Sequence, residues 1–161
     1  MDVVAKLMGK KICLRIDDKK KVYIINGAPG SGKTTYVQKI KTPNDLVVDF
    51  DYICAALNGT DKLYQDYKPF FNVAISLREE LYRMIASRYG NWGNAYVILT
   101  ESNRVRLQSI AQQLDANIIT MPTTLEQCIN NILADDRRKG QEDKFIKLAK
   151  EWYKDREKNI F

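Results

Sequence analysis

Val22-Tyr23-Ile24-Ile25-Asn26 runs directly into Gly27-Ala28-Pro29-Gly30-Ser31-Gly32-Lys33-Thr34-Thr35, and this stretch decides the fold. The first five residues read as a compact apolar strand. Residues 27–34 then fit G-x-x-x-x-G-K-[ST] at every constrained position. Glycines permit tight turns and close approach of the backbone to an oxygen. Successive N–H groups converge on phosphate oxygens at the positive end of the helix that follows, expected from Lys33 to about Lys41. The pattern assigns Gly27, Ala28, Pro29, Gly30, Ser31, Gly32, Lys33, Thr34 and Thr35 to a nucleoside triphosphate. Lys33 is placed to reach the β- and γ-phosphates, and the Thr34 hydroxyl to ligate Mg²⁺.

Outward from the loop, short apolar strands alternate with helical patterns. Leu46 to Phe50, Ala95 to Leu99 and Asn117 to Met121 read as three further strands. Pro69 opens an amphipathic helix with Phe70, Phe71, Ala74, Leu77, Leu81, Met84 and Ile85 on one face, closed by Gly90. Residues 103–114 read as a helix. Pro122 starts another, running to about Arg138 and stopped by Gly140. The last runs from Gln141 to about Lys158, presenting Phe145, Ile146, Leu148, Ala149, Trp152 and Tyr153. Before the first loop, Ile12, Leu14 and Ile16 alternate with Cys13 and Arg15 as a short strand, and Asp17 to Lys20 read as a turn. Alternation of strand and helix predicts an α/β fold with a mainly parallel sheet and right-handed crossovers.

Composition narrows the chemistry. The chain has 161 residues, 45% of them hydrophobic, which suits one domain (1–161, with 1–21 as an N-terminal strand extension). No run approaches the roughly 20 apolar residues of a membrane span, and Asp2, Lys6, Lys10 and Lys11 leave no signal-peptide core. There is no histidine, so acid–base work falls to Asp, Glu, Lys or Tyr. Cys13, Cys54 and Cys128 are widely spaced and form neither a disulfide scaffold nor a zinc motif, in keeping with a cytoplasmic setting. Lys and Arg exceed Asp and Glu by 26 to 20, which favours polyanionic partners such as nucleotide or nucleic acid over a membrane.

In an open α/β sheet, ligands sit beyond the carboxyl ends of the strands. After the second strand of the sheet come Asp49, Phe50, Asp51 and Tyr52. Asp51 is the candidate general base, or else a helix N-cap; Asp49 ranks below it. After the third come Thr100, Glu101, Ser102 and Asn103, with Glu101, or Thr100 through a water, as the Mg²⁺-organising candidate and Ser102 or Asn103 as caps. Arg137 and Arg138 can neutralise charge that develops on a transferring phosphoryl group. Being adjacent, they point to different faces. Residues 55–69 form a candidate acceptor loop in which Lys62, Tyr64, Tyr67 and Lys68 can meet phosphate or stack a base.

GAPGSGKTT at 27–35, VVDFDY at 47–52, VILTESN at 97–103, and the tail from IITMPTTLEQC through RRKG to Trp152-Tyr153 come in a familiar order. Over residues 22–156 the chain resembles P-loop kinases of the polynucleotide kinase and zeta-toxin type, closest to phage-type 5′-polynucleotide kinase domains. The resemblance implies a P-loop NTPase fold: a three-layer sandwich with a mainly parallel central sheet and a short lid. It implies Asp51 as the base for a 5′-hydroxyl and Arg137 and Arg138 as lid arginines. The family's arginine three residues after the base is Cys54 here. The expected activity is ATP- and Mg²⁺-dependent transfer of the γ-phosphate to a hydroxyl, foremost a polynucleotide 5′-end. A nucleoside or nucleotide acceptor, and an accessory ATPase that uses only water, remain open beside it.

Overall fold

The computed structural model describes residues 4–7, 10–13 and 20–158, with side chains over 20–158. Strands β1 (Val4–Leu7) and β2 (Lys10–Cys13) pair as an antiparallel hairpin. The strand expected around Ile12 is thus met in part; Leu14 to Ile16 and most of the following turn lie outside the described residues.

Strands β3 (Val22–Asn26), β4 (Leu46–Asp49), β5 (Ala95–Leu99) and β6 (Ala116–Thr120) form one sheet in the order β4-β5-β3-β6. Every pairing is parallel, with Val22 level with both Ala95 and Ala116. Strand side chains alternate between two faces. Val22, Ile24, Val48, Ala95 and Val97 face one layer of helices: α2 (Phe50–Leu57), α3 (Phe71–Ala86) and α4 (Arg104–Leu114). Ile25, Tyr96 and Ile98 face α1 (Lys33–Ile40), chiefly Val37. The fold is therefore a three-layer α/β sandwich. Helices α5 (Leu125–Leu133) and α6 (Glu142–Lys158) pack on each other and on Ala28 through Cys128, Ile132, Ala149 and Trp152. Among the described residues no helix is long and apolar enough to cross a membrane.

Three boundaries differ from the sequence reading, each for a local reason. The helix expected from Pro122 begins at Leu125, because Thr124 and Gln127 close a reciprocal capping box. It also stops at Leu133: Asp135 caps a separate 3-10 turn, Asp136–Arg138. Helix α3 ends at Ala86, before Gly90, because Arg88 takes the left-handed conformation (φ 55°) and its guanidinium reaches the carbonyls of Ile85 and Leu114. On α3 the buried residues are Ala74, Tyr82 and Ile85, whereas Phe71, Leu77 and Met84, expected on the core face, are exposed. Trp92 packs partly against the main core, its indole N–H donating to the Tyr89 carbonyl under the Lys20 ammonium.

Candidate active site

The carboxyl ends of β3, β4 and β5 open into a cavity of about 810 Å³. The phosphate loop forms its floor. Gly30 has φ 78°, and a Cβ there would lie 2.5 Å from the Cys128 carbonyl oxygen, so the position tolerates only glycine. Gly32 (φ 84°) caps α1 in the left-handed conformation. Two side chains from beyond the loop hold its shape: Asn131 donates to the Gly30 carbonyl (2.8 Å) and Thr123 to that of Ser31 (2.9 Å). Neither was legible as a loop anchor in the sequence; Asn131 also lines the cavity.

Of the nine loop residues predicted, Pro29, Gly30, Gly32, Lys33, Thr34 and Thr35 line the cavity. Ala28 and Ser31 are buried behind them. Lys33 donates to the carbonyls of Gly27 (2.7 Å) and Ala28 (2.9 Å). Burial lowers its pKa to about 8, against the opposing pull of the Asp49 charge. The Ser31 hydroxyl is buried with no hydrogen-bond partner among the described residues, which suits a loop that awaits phosphate oxygens.

Asp49 and Asp51 both line the cavity, in different roles. Asp49 ends β4, is 7% exposed, and is the N-cap of α2: one carboxylate oxygen accepts the Asp51 N–H at 3.0 Å. Its other oxygen accepts the Thr34 hydroxyl at 3.2 Å. The cap that the sequence offered to Asp51 is therefore Asp49's, and the Asp51 carboxylate, in the first turn of α2, has no hydrogen bond or ion pair among the described residues. Burial, and then the Asp49 charge, push the Asp51 pKa up to about 6. Burial also raises Asp49.

Glu101 is placed otherwise than expected. Asn26 is fully buried and clamps the Glu101 backbone with two hydrogen bonds of 2.9 Å. The Glu101 carboxylate accepts the Asn103 N–H and meets Arg106 at 3.4 Å, outside the cavity lining. Asn103 caps α4, as one reading had it. The carboxylate beside Thr34 is Asp49, so a Mg²⁺ ion would find its protein ligands in Thr34 and Asp49. Among the described residues no group of three or more Cys, Asp or Glu could hold a metal unaided.

Both lid arginines line the cavity, although adjacent residues were expected to diverge. The shared partner Asp135 gathers them on one side, at 2.8 Å from Arg137 and 3.6 Å from Arg138. Arg137 makes a two-point contact with Asp135 (2.8 and 2.9 Å). This pairing draws the Asp135 pKa below its ordinary value. Arg138 lies between the rings of Tyr64 and Phe145, with ring centroids 4.9 and 4.7 Å away, and donates to the Tyr64 hydroxyl at 3.0 Å. Tyr64 holds a left-handed backbone (φ 63°), and its carbonyl accepts from Gln141 at 3.0 Å. Of Lys62, Tyr64, Tyr67 and Lys68, only Tyr64 lines the cavity; Tyr67 packs into the core, and Lys62 and Lys68 do not reach it. Cys54 is wholly buried on the inner face of α2.

No family model matches the chain, and no curated protein matches it. Solved structures do. A chain of the Pnkp1/Rnl/Hen1 RNA repair complex superposes with a TM-score of 0.56 at 18% identity, over 88% of this chain and 47% of that one. This chain therefore spans about half the length of that relative. Shikimate kinase from Acinetobacter baumannii, in complex with shikimate, superposes with a TM-score of 0.51 at 15% identity, over 88% of this chain and 81% of that one. At such identities the likeness is one of architecture alone: a parallel sheet between two layers of helices.

Proposed function

We propose that the protein is a phosphotransferase that moves the γ-phosphate of ATP to a hydroxyl acceptor, a polynucleotide 5′-end before any other. One observation carries this reading. The Asp51 carboxylate, unpaired among the described residues and with its pKa raised to about 6, faces the same cavity as the phosphate loop. A hydrolase or switch that uses only water has less need of such a base beside a large cavity.

The loop N–H groups and Lys33 bind the β- and γ-phosphates, and Lys33 exchanges its two carbonyl partners for phosphate oxygens. Thr34 and Asp49 are the residues that would hold Mg²⁺, which when bound offsets phosphate charge. Asp51 accepts the proton of the acceptor hydroxyl as the new O–P bond forms and the bond to the ADP oxygen breaks. Arg137 and Arg138 steady the charge spread over the transferring group. Alignment and electrostatics supply most of the acceleration.

A nucleoside or small nucleotide is the second reading for the acceptor, favoured by the buried thiol of Cys54 where polynucleotide kinases place arginine. One assay tests both. γ-Labelled ATP and Mg²⁺ are offered with 5′-hydroxyl DNA and RNA oligomers, nucleosides and nucleoside monophosphates, with Lys33→Ala as control. Label on an oligomer is the expected outcome. Label on a small nucleotide alone would change the acceptor, and label released only as phosphate would overturn phosphotransfer.

A further inference from the structure

Five cationic side chains line the cavity: Lys33, Lys39, Arg78, Arg137 and Arg138. Lys33 belongs to the phosphate loop, and Arg137 and Arg138 are both paired with the half-buried Asp135. Lys39 is exposed on α1. Arg78 comes from α3, on the side of the cavity formed by Val48, Phe50 and Tyr82. Its guanidinium lies over the rings of Phe50 (5.4 Å) and Tyr82 (5.6 Å), and its side chain is 24% exposed. Phe50 separates Asp49 from Asp51 in sequence, so this contact sets the guanidinium beside the segment that carries the candidate base.

Aromatic faces orient a guanidinium without neutralising it. Among the described residues the only carboxylate on Arg78 is Glu79, its chain neighbour, which is half exposed and holds the Nε and Nη2 edge. An exposed pair of that kind is weak and is readily exchanged for a better anion. Nη1 has no hydrogen-bond partner among the described residues. Neither Asp49 nor Asp51 pairs with it. A largely buried cation with one free edge and no buried counter-ion is a receptor for an anion brought by a ligand.

We infer that Arg78 anchors a phosphate on the acceptor, next to the hydroxyl that is phosphorylated, such as the 3′-phosphate of the terminal nucleotide of a 5′-hydroxyl strand. The inference rests on the phosphotransfer reading for its acceptor, and on Arg78 itself for its chemistry. Cys54 is enclosed by the core and offers no alternative contact, so acceptor recognition comes from α3.

The test compares a nucleoside with its 3′-monophosphate. Both are measured as acceptors (KM and kcat) and as ligands by calorimetry beside a non-hydrolysable ATP analogue, in wild type, Arg78→Gln, Arg78→Lys and Glu79→Gln. Wild type should prefer the 3′-phosphate, and Arg78→Gln should shrink that preference about 10- to 100-fold, through KM and not kcat. Arg78→Lys should restore part of it, and Glu79→Gln should hold or raise it. Equal affinity of wild type for the two ligands, or a preference unchanged in Arg78→Gln, would overturn the inference. Equal weakening of both ligands would too, because it would mean a merely structural role. Binding that depends on Arg78 without any transfer would instead overturn phosphotransfer and leave the anion site standing.

Discussion

The phosphate loop and the rest of the cavity lining are built by different means. The loop is one continuous run whose shape is set by backbone conformation, by glycines at positive φ, and by carbonyls tied down by Asn131 and Thr123. The remainder is assembled from side chains far apart in the chain. Tyr64 meets Arg138 across 74 residues, Arg78 leans on Phe50, and Asp135 gathers two arginines. The first can be prepared before ligand arrives at little entropic cost. The second must order long side chains, each of which loses on the order of 1.5–2 kcal/mol of rotamer freedom when fixed. On the proposed reading, binding of nucleotide belongs to the loop and choice of acceptor to the assembled part.

Five substitutions would break or sharpen that contrast. Lys33→Ala should remove transfer altogether, a loss of about 10³-fold or more, read from initial rates at saturating ATP. Asp51→Asn should lower kcat roughly 10²- to 10³-fold while ATP affinity stays within about twofold; equal loss of ATP binding would deny it the role of base. In wild type the rate should fall as pH drops through about 6, as that carboxylate takes up a proton. The sign for stability is opposite. Because the folded pKa of Asp51 lies above its unfolded value of 3.8, its contribution is greatest below pH 4 and is lost as pH rises to about 6. Asp51→Asn should therefore be more stable than wild type at pH 7, by about 2 kcal/mol in urea unfolding.

Asp49→Asn should raise the Mg²⁺ needed for half-maximal rate about tenfold, and Glu101→Gln should change it less than twofold. The reverse order would restore Glu101 as the metal-organising residue. Tyr64→Phe removes one hydrogen bond to Arg138 and should cost the assembled part about threefold in acceptor KM, with ATP KM unchanged. An equal change in both constants would mean that loop and lid act as one body.

Legibility followed the same division. The loop, the four parallel strands and the sandwich were readable because each depends on residues adjacent in sequence: an apolar strand, then glycines at fixed spacing. Asp51 was readable as a candidate base because strand ends face the ligand in this class of fold. The placement of the Asp49 carboxylate beside Thr34, and of the Glu101 carboxylate away from it, was not. It turns on which carboxylate meets Thr34, and Asn26 settles the placement of Glu101 through a clamp spanning 75 residues. Asn131 and Arg78 stayed hidden for the same reason, since an asparagine in α5 and an arginine in α3 look like ordinary surface residues until the tertiary fold brings them to the cavity. The short α5 was legible in principle, because Thr124 and Gln127 have capping-box spacing, but Pro122 was the more conspicuous start signal.

The two cysteines whose side chains are described offer a clock for each part of the molecule. Cys54 lies on the buried face of α2 and Cys128 beneath the phosphate loop; neither is exposed, and burial pushes both thiols up, Cys54 to about 11. A thiol reagent can reach either only when its surroundings open. With Cys13 replaced by serine, the labelling rates at the two sites would report separate opening equilibria. ATP should slow Cys128 more than Cys54, and a tightly bound acceptor should do the reverse. Buried sulfur would then measure, without any enzymatic turnover, how far the two parts breathe independently.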